Sequence, residues 1–140
     1  MKRLLRYLTW TVVITLLGWL LLTLYVEQKG PEKELTFGTG DARKVIIVFD
    51  PDPLYNLDEQ VCSSFAKALA ENNISVRVLS VASAAKLQNE SFDLYVYCAN
   101  TYNWRPDWAI TAFIENQETN HPNQPTVAIT LGGGSTRNFS

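Results

Sequence analysis

Polar and aromatic side chains are concentrated in one short segment, residues 100–104, between a predicted strand and a predicted helix. The apolar run before it, residues 94–99, is rich in Tyr and Val and has the length of a buried strand. Pro106 follows where a helix can begin, because the first helical residue needs no backbone N–H. Ligands of open α/β sheets lie at the carboxyl ends of the strands. We therefore expect a flat aromatic ligand to contact Asn100, Thr101, Tyr102, Asn103 and Trp104.

A glycine run follows the last predicted strand and supplies a second candidate segment, Leu131, Gly132, Gly133 and Gly134. Glycine lets a ligand approach the backbone closely, and it also serves turns with positive φ that bind nothing. The aromatic segment has a similar alternative, because Tyr102 and Trp104 could cover the sheet edge or contact a partner protein.

Four apolar segments, residues 44–50, 75–81, 94–99 and 125–131, are predicted strands. The first is a continuous apolar run, which is typical of a central parallel strand. Helical spacing follows from residue 57, with Asn56 as the predicted N-cap and Glu59 completing a capping box. Residues 82–87 are predicted to form a short helix or turn. The β-α-β-α-β-α-β order requires right-handed crossovers and predicts an α/β fold with helices on both faces of a parallel sheet.

The N-terminal segment is predicted to be a membrane anchor. Residues 7–26 carry no formal charge, and a helix of that length spans about 30 Å, the hydrocarbon thickness of a bilayer. A cleaved signal peptide is the alternative, but residues 24–27 lack the small side chains of a cleavage site. Basic residues flank both ends, so the side of the membrane on which the domain lies is left open.

The predicted organisation is a single-pass anchor at residues 1–27, a linker at 28–43 and a domain at 44–140. The linker is charged, contains Gly and Pro, and shows no apolar period. After residue 34 the chain has seven basic and eleven acidic side chains, a net charge of −4. That charge gives no reason to expect nucleic acid as a partner.

Few residues are suited to catalysis or metal binding. The chain has one histidine, His121, and two cysteines, Cys62 and Cys98. Each cysteine is expected to be a small buried hydrophobe. Asp50 and Asp52 follow the first strand and could bind a metal ion, but no third carboxylate stands at a suitable strand end. We therefore expect no metal site and assign no catalytic residue.

Three segments together resemble the flavodoxin-like family, the flavodoxins and related FMN-dependent reductases. They are KVIIVFD at residues 44–50, ANTYNWRPDW at 99–108 and TLGGGST at 130–136. The resemblance implies a flavodoxin-like three-layer sandwich in which the loops after the first, third and fourth strands hold FMN. Residues 101–104 match the third-strand loop, and 131–134 match the fourth. It also implies a further helix and strand after the fourth strand, so the domain is expected to be incomplete.

The first loop, residues 50–56, departs from that family. Its sequence is Asp-Pro-Asp-Pro-Leu-Tyr-Asn, whereas the family usually has Ser, Thr and Gly here, whose amides and hydroxyls bind the FMN phosphate. The two prolines remove amide donors, and the two aspartates place negative charge near the phosphate. The side chains of Tyr55 and Asn56 remain as candidate contacts and offset this only in part.

Two functional hypotheses follow. In the first, a membrane-anchored flavodoxin-like protein binds FMN and acts in electron transfer, or as an oxidoreductase that reduces a small acceptor, with an unknown redox partner. In the second, the domain has no cofactor and serves as an anchored binding or interaction module. Fold alone does not determine function, so the loops must distinguish the two hypotheses. The third- and fourth-strand loops favour the first hypothesis, and the first loop favours the second.

Overall fold

The computed structural model describes residues 2–40, 43–87, 90–102, 105–120 and 122–132. They form an α/β fold, with an N-terminal apolar helix and a mixed, mostly parallel sheet of six strands. The elements are α1 Lys2–Val26, β1 Glu34–Phe37, β2 Arg43–Phe49, α2 Leu57–Ala70, β3 Ile74–Ser80, α3 Val81–Ala84, β4 Leu94–Tyr102, β5 Arg105–Pro106, α4 Trp108–Asn120 and β6 Thr126–Leu131.

The sheet has the order β1-β3-β2-β4, with β6 and the short β5 both paired to β4. Strands β3, β2, β4 and β6 are mutually parallel, and β1 runs antiparallel to β3. From β2 the chain moves to β3 on one side, then passes to β4 on the other side of β2. The chain direction across the sheet therefore reverses between β2 and β4, and such a switch point opens a crevice at the carboxyl ends of the strands.

Helices cover both faces of the sheet, as the sequence predicts. Successive side chains of β2 point to opposite faces: Ile46 and Val48 pack with α3 and α4, while Ile47 and Phe49 pack with α2. The predicted strands 44–50 and 75–81 are confirmed, each lying one residue earlier in the chain. Cys62 and Cys98 are both buried in the cluster under α2.

The predicted linker is wrong in its middle, because residues 34–37 form strand β1. Leu35 pairs with Val78 across the sheet, and the side chain of Arg77 donates to that of Glu34 at 2.7 Å. A four-residue edge strand is too short to show an apolar period, so its composition resembled that of a linker.

The predicted start of the third helix is also wrong. Strand β4 continues through Tyr102, and Pro106 lies in β5, which pairs back onto β4. Helix α4 begins two residues later at Trp108, because Asp107 Oδ1 accepts the backbone N–H of Ile110 at 2.8 Å and caps the first turn. The helix then runs to Asn120, although the polar composition of residues 116–124 favours a loop.

The predicted capping box of α2 does not form. Asn56 makes no side-chain cap, and its Oδ1 accepts Gln60 Nε2 at 2.8 Å instead. Glu59 pairs with Lys33. The partner of Glu59 is distant in the chain, so a local sequence pattern could not reveal it.

Helix α1 has 25 residues, none of them buried. It is long and apolar enough to cross a membrane, a property that N-terminal signal sequences share.

Ile110 is fully buried against the sheet, whereas Ile114, one turn later, is only partly buried. We expect Ile110→Ala to lower the free energy of unfolding by about 2–5 kcal/mol, because the cavity it leaves cannot refill. Ile114→Ala is the matched control and should cost clearly less. Urea unfolding of the full chain in detergent measures both, and equal losses would contradict this packing of α4.

Candidate functional site

A cavity of about 220 Å³ lies at the carboxyl ends of β2, β4 and β6. It is lined by Asp52, Tyr55, Leu57, Asn100, Thr101, Tyr102, Leu131 and Gly132. Six of the sequence-predicted site residues are therefore brought together in one place. Asn56 does not line the cavity. The other candidates, Asn103, Trp104, Gly133 and Gly134, lie outside the described residues.

The register between β4 and β6 brings the third- and fourth-strand segments together. Asn100 lies opposite Leu131 in this parallel pair, so Thr101 and Gly132 follow side by side. A Cβ on Gly132 would lie 3.3 Å from the Cβ of Thr101, a tight contact. Gly132 does not have positive φ, so its small size, rather than its backbone freedom, fits it to this wall of the cavity.

The carboxylate of Asp52 organises the first loop. Its Oδ1 accepts the backbone N–H of Leu54 at 2.6 Å and that of Tyr55 at 3.1 Å, as in an Asx-turn. Its Oδ2 accepts the hydroxyl of Tyr102, and its own N–H donates to Asp58 Oδ2 at 3.2 Å. Burial and the bond to Asp52 raise the pKa of the Tyr102 hydroxyl, so Tyr102 remains a donor.

These hydrogen bonds do not fit the phosphate of FMN. A phosphate loop leaves backbone N–H groups free to point at the ligand, but here Leu54 and Tyr55 donate to Asp52. The loop therefore already contains an anion at its own donors. A phosphate about 4 Å away would meet a repulsion of about 1–4 kcal/mol. The rest of the cavity wall, which includes Tyr102 and Leu131, is free of charge and suits an uncharged ring.

Three further aspartates are buried beneath this edge of the sheet: Asp50, Asp58 and Asp107. Burial raises the pKa of Asp50 to about 6 and that of Asp107 to about 7; it also raises the pKa of Asp58. Asp58 Oδ1 and Asp107 Oδ2 have no hydrogen-bond partner within the described part of the chain. Sequence reasoning missed Asp58 and Asp107, because acidic residues are ordinary at helix starts and carry no signal of burial.

These carboxylates do not assemble a metal centre in the part of the chain that the structure describes, where no three His, Cys, Asp or Glu side chains could hold an ion together. Asp50 Oδ1 accepts the backbone N–H of Gly30 at 2.9 Å, Asp52 accepts two amides of its own loop, and Asp107 accepts the N–H of Ile110 in the first turn of α4. Each carboxylate therefore has a separate structural contact.

Glu27 joins the end of α1 to the site. Its side chain is fully buried and pairs with Arg105 at 2.8 Å. It also accepts the backbone N–H of Trp108, the first residue of α4, at 2.8 Å. The guanidinium of Arg105 lies 4.5 Å from the centre of the Trp108 ring, a cation–π contact. Sequence reasoning placed Glu27 at the end of the anchor and found no role for it.

Comparison with protein-family models, curated proteins and solved structures gave no match to this chain. Function must therefore be inferred from the cavity, its hydrogen bonds and its charges.

The buried aspartates predict a stability that depends on pH. Asp50 and Asp107 hold protons in the folded chain up to about pH 6 and 7, whereas unfolded carboxyls release theirs near a pKa of about 3.9. Their contribution is therefore fully present below about pH 4 and is lost as pH rises through about 6 to 7. We expect the urea midpoint of the full chain to fall between about pH 4 and pH 7.

Asp107→Asn should flatten that pH dependence, because Asn keeps the capping oxygen and cannot ionise. Glu115→Gln removes an exposed carboxylate from α4, the helix that Asp107 caps, and should leave the dependence unchanged. The same slope in Asp107→Asn and in the parent would contradict a raised pKa at Asp107.

Proposed function

We propose that this chain is a membrane-anchored protein with a flavodoxin-like domain, whose cavity binds a flavin for electron transfer or for reduction of a small acceptor. One observation carries the proposal: residues that follow three different strands form a single cavity. Tyr55 follows β2, Tyr102 ends β4 and Leu131 ends β6. These are the first, third and fourth parallel strands, whose loops hold FMN in the family that the sequence resembles.

The strand order supports the same proposal. The parallel strands are arranged β3-β2-β4-β6, which is second-first-third-fourth by their position in the chain. Flavodoxin-like sheets have the order 2-1-3-4-5, and they bind their ligand where the order reverses between the first and third strands. The cavity beside β2 and β4 has that position.

The flavin would be held by its ring. Tyr102 and Leu131 offer apolar surface to a flat ring, whereas two backbone donors of the first loop, the N–H groups of Leu54 and Tyr55, are occupied by Asp52. The hydrogen bond from Tyr102 to Asp52 fixes the tyrosine ring at the cavity wall. The redox chemistry belongs to the flavin, and the protein supplies binding, orientation and electrostatics.

A cofactor-free, anchored binding module is the second candidate. Two observations favour it: the loop supplies its own anion in Asp52, and the cavity has about 220 Å³, below the roughly 300–1,000 Å³ of typical ligand pockets. Under this second candidate, the cavity would bind a small group of a partner molecule at the same edge of the sheet, and the protein would transfer no electrons. A flavin titration separates the two candidates.

The proposal predicts that riboflavin binds the full chain more tightly than FMN, because Asp52 repels the phosphate and the N–H groups of Leu54 and Tyr55 already donate to Asp52. A single charge-assisted hydrogen bond to the phosphate would instead favour FMN by about tenfold or more. Flavin fluorescence quenching, measured with the full chain in detergent, gives both constants. Tyr102→Ala should weaken both by a similar factor, since it removes ring contact.

Asp52→Ser tests the phosphate argument separately. It removes a negative charge and leaves a hydroxyl that holds the N–H groups of Leu54 and Tyr55 more weakly than the carboxylate does, so it should tighten FMN binding with little change for riboflavin. Asp93→Ser makes the same chemical change at the opposite end of β4 and should alter neither constant. If neither flavin binds at millimolar concentration, the flavin proposal is wrong and the anchored module takes its place.

A further inference from the structure

We propose that the carboxyl edge of the sheet, the ends of β2, β3, β4 and β6, faces the membrane and contacts zwitterionic lipid headgroups through Leu54, Tyr55, Leu57 and Trp108. The inference rests on the proposed membrane anchor and adds an orientation and a lipid-binding surface to it. The path of the chain beyond α1, its close contacts with the domain, and the exposed side chains of this edge carry it.

The chain leaves α1 at the carboxyl edge and crosses it. Glu27 contacts the start of α4, which follows β4. Gly30 then donates to Asp50, directly after β2. Lys33 exchanges hydrogen bonds with Ser80, the last residue of β3: the Lys33 N–H donates to Ser80 Oγ and its carbonyl accepts the Ser80 N–H, both at 2.9 Å. Residues 27–33 therefore lie along the ends of three strands, and the anchor emerges on that side of the domain.

The segment between the anchor and the domain is held by contacts with the domain and does not act as a flexible linker. Glu27 directly follows Val26, the last residue of α1, and its buried side chain has two partners in the domain. At Gly30 the backbone lies so close to Pro51 that a Cβ would be 2.6 Å from the proline ring. A free linker would let the domain turn any side to the bilayer. These contacts hold the carboxyl edge beside the end of α1.

The exposed side chains at this edge suit the membrane interface. Of the described residues after α1, six large apolar side chains are exposed, and four of them lie at this edge. Tyr55 is 70% exposed and Trp108 46%; Tyr and Trp are enriched at the level of lipid headgroups. Among the nearby carboxylates, those of Glu27, Asp50 and Asp107 are buried, and that of Asp52 is partly buried and accepts three hydrogen bonds, so little negative charge faces the surface. The net negative charge of the domain favours zwitterionic over anionic lipid.

This orientation bears directly on the cavity. Tyr55 and Leu57 belong both to the exposed edge and to the cavity wall. A ligand dissolved in the bilayer would therefore reach the cavity without crossing bulk water, and an acceptor in the membrane would lie close to a bound ring.

The experiment places a fluorophore at single positions in the full chain, reconstituted in phosphatidylcholine vesicles that contain a headgroup spin-labelled lipid. Leu54→Cys and Leu57→Cys carry the label at the edge. Lys67→Cys is the control, exposed on the same helix as Leu57 and about 15 Å further along it. The native Cys62 and Cys98 are buried, and the unsubstituted chain, treated identically, gives their background.

We expect quenching at positions 54 and 57 to be several-fold stronger than at 67. Equal quenching at all three positions, in chain that floats with the vesicles, would overturn the lipid-facing edge while leaving the anchor and the flavin site untouched. Failure of the chain to float would overturn the anchor and, with it, this orientation. The flavin titration in detergent is independent of both outcomes.

Discussion

The hydrogen bonds of the Asp52 carboxylate hold the candidate site together. Asp52 accepts two amides of the first loop and the hydroxyl of Tyr102, so it ties the end of β2 to the end of β4. Its own N–H contacts Asp58 in the first turn of α2. Without this carboxylate, the loop amides would be free to bind an anionic ligand and Tyr102 would lose its fixed position. The same interaction therefore shapes the cavity and disfavours an anionic ligand beside the loop.

The surrounding carboxylates show two ways to bury an acid. Asp50 and Asp107 have pKa values raised by burial, and the neutral form avoids the desolvation penalty of an isolated charge. Glu27 instead has a cationic partner in Arg105 and an amide partner at Trp108. Removing one partner of a buried ion pair strongly lowers the free energy of unfolding. The contact of Glu27 therefore fixes the end of α1 to the domain.

The sequence predicted those parts of the fold that depend on local pattern. Continuous apolar runs indicated β2 and β4, because a strand covered on both faces has apolar side chains throughout. Helical spacing of apolar residues indicated α2, because this helix is buried on one face only. Strand β1, the Asp107 cap and the pairing of β5 were missed, since each depends on a partner distant in the chain or on an ordinary polar residue. The residue types of Tyr55, Tyr102 and Leu131, and their positions after strands, were enough to predict that they share one site. The sequence also indicated that the first loop repels phosphate, but not that Asp52 occupies the amides.

In the proposed function, the cavity holds a flavin by its ring and not by a phosphate. The most direct measurement is a visible absorption spectrum of the full chain as purified in detergent from the cells that express it, followed by chromatography of the compound released on denaturation. We expect a bound-flavin spectrum and release of riboflavin without an excess of FMN. A colourless protein, or release of FMN alone, would contradict it.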